Sequence, residues 1–142
     1  MDNIIYLDNA STTYVDPRVK IEIDKYFCDE YGNPGSSHEV GRKAKNALEN
    51  SRETIARIIN SSPQEIIFTS GGTESINLAL QGVAKALKSK GKHIVTTKLE
   101  HPAVLETCKF LESEGFEISF VAPEKNGVID PEKIKQVFRT DT

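Results

Sequence analysis

Apolar side chains recur along this chain with two different periods, and the switches between them predict its elements. Ile4-Ile5-Tyr6-Leu7 suits a short extended piece, and the polar run 8–13 after it reads as a loop. Val19, Ile23, Tyr26 and Phe27 return at helical spacing, so a helix is expected to run to about Asp29. Asp16-Pro17 opens it, with the carboxylate as N-cap and the proline in the first turn. Ala44, Leu48, Ile55, Ile58 and Ile59 form the stripe of a second helix over 41–59, which Asn60-Ser61-Ser62-Pro63 ends. Residues 65–68 read as a short buried strand. From about Thr73 a strongly amphipathic helix carries Ile76, Ala79, Leu80, Val83, Ala84 and Leu87, and Ser89-Lys90-Gly91 ends it. His93-Ile94-Val95-Thr96-Thr97 is rich in β-branched residues and predicts a second strand. Pro102 opens a helix to about Ser113, whose buried face holds Val104, Leu105, Cys108 and Leu111 or Phe110. Phe116, Ile118 and Phe120 alternate in a third strand, and Asp130-Pro131 repeats the opening device of Asp16-Pro17.

From residue 64 the order is therefore strand, helix, strand, helix, strand, helix. That is an α/β pattern with a parallel sheet and crossover helices. Residues 1–62 form an N-terminal segment of a loop and two helices, and 63–142 form the sheet-bearing domain. Three strands leave sheet edges and helix faces uncovered. A further strand is expected after Thr142, and the chain reads as cut off.

Composition narrows the class. The 142 residues are 37% hydrophobic and 27% charged, as in a soluble globular chain. A net charge of −3, from 18 basic and 21 acidic residues, gives no electrostatic case for nucleic acid. No apolar run approaches the roughly 20 residues that span a bilayer. Asp2 and Asp8 replace the basic n-region of a signal peptide, so none is expected. Two cysteines, Cys28 and Cys108, suit reduced thiols in a cytoplasm. Cys28 has no nearby histidine or basic cluster to activate it, and Cys108 reads as a core residue.

Candidate chemistry gathers at two strand-to-helix loops. Thr69-Ser70-Gly71-Gly72-Thr73 is a tight turn with two glycines before a helix. Glycines let the backbone approach a ligand, and the first helical N–H groups lack intrahelical partners, so Gly72 and Thr73 are read as phosphate binders. The plainer reading is a turn capped by Ser70 or Thr73. The turn is neither a Walker loop nor a G-x-G-x-x-G fingerprint. His101 falls in the next such loop, before Pro102, and ligands of α/β sheets bind beyond the carboxyl ends of the strands. Its imidazole suits stacking on an aromatic ligand or proton transfer, with a surface helix cap as the alternative. Residues 31–37 form a Gly- and Pro-containing loop, either a connection or a ligand contact. His38 follows it at the mouth of the next helix, where a cap is the commoner role, and Arg42 lies beside it. His93 reads as structural.

These segments, taken in order, resemble the cysteine desulfurases, a branch of the class V aminotransferases. The resemblance rests on Tyr6-Leu7-Asp8-Asn9-Ala10-Ser11-Thr12-Thr13, on Gly32-Asn33-Pro34 through His38 with Gly41-Arg42, on 65–75, and on Glu100-His101-Pro102-Ala103-Val104-Leu105. The last form resembles the iron–sulfur-assembly and nitrogen-fixation type. Ser11 stands where the family usually has Ala, and Gly35 where it usually has Ser. The resemblance implies the fold-type-I architecture and pyridoxal 5′-phosphate as cofactor. Gly72 and Thr73 would hold its phosphate. His101 would stack on its ring and move protons at the substrate. The loop with Asn33, Ser36 and His38 would lie near the substrate, across a homodimer interface in the family. The implied reaction takes L-cysteine to L-alanine and passes sulfur, through an enzyme persulfide, to an acceptor scaffold protein. The family's Schiff-base lysine, pyridine-pairing aspartate, substrate-binding arginine and nucleophilic cysteine have no counterparts here, so the chain alone is expected to be inactive and poorly folded. The alternatives are a non-enzymatic partner of a full-length desulfurase or of a separate C-terminal half, and another class V activity such as selenocysteine lyase or a transaminase.

Overall fold

The computed structural model describes residues 4–142, which form two compact units, one up to Ile67 and one over Phe68–Thr142. In the first, helix α1 (Pro17–Cys28) starts as the sequence predicts. The Asp16 carboxylate accepts the Arg18 N–H at 2.8 Å and pairs with its guanidinium. Helix α2 (Glu39–Ile58) begins ahead of the expected Gly41, because His38 caps it: Nδ1 accepts the Gly41 N–H at 3.3 Å. Asn60, in the left-handed region at φ 55°, closes α2, and the Ser61 N–H returns to the Ala56 carbonyl at 2.9 Å.

The 31–37 loop is folded tightly against the start of α2. Asn33 Oδ1 accepts the Gly35 N–H at 2.8 Å, and Arg42 Nη1 donates to the Ser37 carbonyl at 2.6 Å. Gly41 makes this approach possible, since a Cβ there would stand 2.5 Å from the Ser36 carbonyl oxygen.

The strand expected at 65–68 does not form. Pro63–Glu65 is a 3-10 turn, held by the Glu65 carboxylate, which accepts both the N–H and the hydroxyl of Ser62 at 2.7 Å. Ile66 is extended, but no strand lies beside it among the described residues, and the Arg52 guanidinium takes its carbonyl. An extended run becomes a strand only with a partner for its backbone groups. Ile67 and Phe68 are accordingly exposed rather than buried.

The second unit holds α3 (Gly72–Ala86), β1 (His93–Thr97), α4 (Pro102–Ser113), β2 (Glu117–Val121) and α5 (Pro131–Gln136). Strands β1 and β2 pair in parallel, His93 opposite Glu117 and Thr97 opposite Val121, with α4 as the crossover. The sheet is therefore two-stranded, against the three strands expected. The α/β class stands. Gly115, at φ 86°, ends α4, and the Phe116 N–H returns to the Leu111 carbonyl at 3.0 Å. Ala84, Leu111 and Phe116 form the core, with Leu80, Ile94 and Ile118 packed on it. His93 is buried, its ring nitrogens 2.8 Å from Ser119 Oγ and 2.7 Å from Thr142 Oγ1, in keeping with a structural role.

Burial falls short of what the periodicity predicts. Helix α1 buries no residue, and Ile58 and Ile59 of the α2 stripe stay exposed. Val83 of α3 and its C-cap Leu87 are likewise exposed, beside an apolar cavity of about 460 Å³ lined by Leu80, Ile94 and Phe116. Two glycines separate local from tertiary constraint. Gly82 lies inside α3, and a Cβ there meets nothing within 4 Å. We expect Gly82→Ala to raise the urea midpoint, adding about 1 kcal/mol from helix propensity. Gly41→Ala should lower the midpoint, costing about 1–3 kcal/mol of stability, because the clash is with backbone. Equal effects of the two substitutions would contradict this packing.

Candidate functional site

The turn before α3 presents backbone donors and keeps its side chains to itself. Gly71 is the N-cap, extended and without a side chain to offer. The Ser75 N–H closes the first turn on the Gly71 carbonyl at 3.1 Å. The N–H groups of Gly72, Thr73 and Glu74 have no acceptor among the described residues. Neither Ser70 nor Thr73 caps the helix, as the plainer sequence reading had it. Instead the N–H and hydroxyl of Ser70 donate to Glu74 Oε2 at 2.6 and 2.7 Å. Thr69 Oγ1 lies 2.6 Å from Ser75 Oγ. The approach is open, since a Cβ on Gly71 or Gly72 would meet nothing within 4 Å. Uncapped N–H groups at the positive end of a helix dipole favour an anion.

His101 is the N-cap of α4. Its Nδ1 accepts the Ala103 N–H at 3.1 Å, so in this geometry the ring nitrogen that carries hydrogen is Nε2. Thr97 braces the preceding loop: its hydroxyl donates to Glu100 Oε1 and accepts the Leu99 N–H, both at 3.2 Å. Thr73 and His101 line one groove of about 580 Å³ between α3 and α4, together with Asn77 and Thr107. The structure thus brings Thr73 and the imidazole to one groove.

Asn33, Ser36 and His38 share one loop in the unit before Phe68, where the His38 ring serves as the α2 cap. Cys108 is fully buried. Burial, then the charges of Glu112 and Glu100, push its thiol above the ordinary value, so it stays protonated and inert. Cys28 is exposed on α1. Among the described residues no His, Cys, Asp and Glu cluster suits a metal, and no helix is long and apolar enough to cross a membrane.

Sequence reasoning passed over two groups. Glu74 holds the turn closed through Ser70. Asn77 accepts from Thr107 across the helix pair at 2.9 Å, in the middle of the groove. The available signal was a polar residue at a half-buried position of an amphipathic helix.

The Ser70 N–H and hydroxyl hold the Glu74 carboxyl below its ordinary value of 4.5. A depressed folded value means the bond is fully present above 4.5 and is lost as pH falls through the lower folded value. We expect hydrogen exchange at the Ser70 amide to be slow at neutral pH and to lose protection only below that point. Glu74→Gln should remove the pH dependence. Protection indifferent to both acid and substitution would contradict the bond.

Comparison with known proteins agrees with the motifs. The Aminotransferase class-V family matches residues 5–142. The chain is 51% identical to the cysteine desulfurase IscS of Shewanella loihica over 141 residues, covering 97% of this chain and 35% of that protein. It is 48% identical to the cysteine desulfurase IscS of Dictyoglomus turgidum, covering 100% of this chain and 36% of that one. Among solved structures, a NifS-like protein matches with a TM-score of 0.88 at 41% identity, covering 94% of this chain and 37% of its own. SspA in complex with cysteine matches at 0.87 and 36% identity, covering 96% and 40%. The chain spans about a third of the length of the curated relatives it matches. With a family match over nearly all of its residues, this chain belongs to the class V aminotransferases.

Proposed function

We propose that this chain supplies the phosphate seat and the imidazole of a pyridoxal 5′-phosphate-dependent cysteine desulfurase. One observation carries the reading: Thr73, in the uncapped first turn of α3 that begins at Gly72, shares a groove with His101. The cofactor fits what is present. Its phosphate needs open backbone donors, and its ring needs a flat neighbour. When bound, pyridoxal phosphate supplies an electron sink for charge developing at the substrate carbon. Gly72 and Thr73 bind and orient its phosphate, with the Thr73 hydroxyl as a further donor. His101 stacks on the ring and moves a proton at Nε2.

By the family resemblance, the loop with Asn33, Ser36 and His38 would lie near the substrate across a homodimer interface, and residues 63–142 would form the first part of the cofactor-binding large domain. The substrate is L-cysteine, the product L-alanine, and the sulfur leaves on a cysteine other than Cys28 or Cys108 for an acceptor scaffold protein. A cytoplasmic homodimer suits this reading, and the remaining length of the polypeptide would cover the apolar stripes of α1, α2 and α3.

The test is discrimination by the phosphate. In the full chain of the protein, Thr73→Ala should weaken pyridoxal 5′-phosphate binding by about tenfold, the value of one charge-assisted hydrogen bond. Unphosphorylated pyridoxal should bind as weakly to the variant as to the parent. Equal loss for both ligands in an absorbance titration would contradict the seat. The 142 residues by themselves should release no sulfide from cysteine above the free-cofactor background, and release above that background would overturn the division of labour.

A further inference from the structure

We propose that Asn77 and Thr107 are positioning residues that fix the spacing between the phosphate seat on α3 and the imidazole on α4. This rests on the function proposed above and adds residues to it. Thr107 is only 4% exposed, and its hydroxyl faces two acceptors, the Ala103 carbonyl at 2.7 Å and Asn77 Oδ1 at 2.9 Å. Asn77 in turn donates from Nδ2 to the Thr73 carbonyl at 3.0 Å, while its Oδ1 also accepts from Gln81 Nε2 at 3.0 Å. Ala103 gives its own N–H to His101 Nδ1. The one hydroxyl hydrogen of Thr107 is shared between the Ala103 carbonyl and Asn77 Oδ1, and through it the residue that would seat the phosphate is linked to the ring that would stack on the cofactor.

The Asn77 amide has one consistent orientation. Flipping the Asn77 amide would set its NH2 against the Gln81 NH2 and its oxygen against the Thr73 carbonyl. An intrahelical bond from Thr107 to Ala103 would satisfy the hydroxyl without Asn77. A leucine at 77 and a valine at 107 would bury more apolar surface between the helices. Apolar pairs slide with little penalty, whereas a hydrogen bond between two side chains holds one register. The polar pair therefore fixes how α3 lies along α4, and with it the distance from the Thr73 seat to the His101 ring.

The experiment uses the full chain of the protein with and without cofactor. Thr107→Val keeps shape and deletes the hydroxyl, and Thr107→Ser restores it. Thr107→Val should weaken pyridoxal 5′-phosphate binding by about three- to tenfold and change the visible circular dichroism of the bound cofactor. Thr107→Ser should return both to parent values. Asn77→Ala should reproduce the loss, and the double variant should be no worse than either single one, as expected of residues acting as one unit. In cofactor-free protein, Thr107→Val should move the His101 ring-nitrogen resonances. A parent protein that takes up no cofactor would overturn the proposed function, and the ring resonances would still decide the clasp. If the variants lower the unfolding midpoint while affinity, dichroism and ring resonances stay at parent values, or if the losses are additive, the positioning role is wrong.

Discussion

The site depends on two helices keeping one alignment. α3 and α4 lie side by side, with Thr73 and His101 from their first turns at one groove. Each brings a different helix-terminal solution. α3 leaves its first N–H groups uncapped, because Gly71 has no side chain and Ser70 is taken up by Glu74. α4 is capped by an imidazole. A backbone anion seat needs the first, and an oriented ring needs the second. Beneath them Leu111 and Phe116 pack on Ala84, so the hydrophobic core and the polar path across the groove constrain the same helix pair.

The capping chemistry repeats along the chain. Asp16 and Asp130 cap helices that begin with proline, accepting N–H groups at 2.8 and 2.9 Å. His38 and His101 each accept an N–H through Nδ1. A histidine cap uses a lone pair of the neutral ring, and it leaves the other nitrogen for other work. The structural and functional readings of His101 are therefore compatible, since the bond that caps the helix also selects the tautomer.

Much of this was legible beforehand because it is local. Proline and aspartate at helix starts, glycine at 115 and the β-branched run at 93–97 each specify their conformation within a few residues. The strand at 65–68 was misread because strand formation depends on a neighbour that four residues cannot supply. The exposed stripes of α1 and α2 show the same limit, since periodicity reports which face is apolar but not what covers it. Asn77 and Thr107 are separated by thirty positions and meet only once α3 and α4 are packed. The glycine turn stood out in the sequence, but Glu74, which holds it closed through Ser70, looked like an ordinary first-turn acid.

The central claim is that the first amides of α3 receive the cofactor phosphate beside His101. Amide and imidazole resonances followed while pyridoxal 5′-phosphate is added to the full chain test it most directly. The account predicts that the Gly72 and Thr73 amide protons and the His101 ring shift together, and that inorganic phosphate moves the amides alone. Shifts confined to other residues, with Gly72, Thr73 and His101 unmoved, would contradict it.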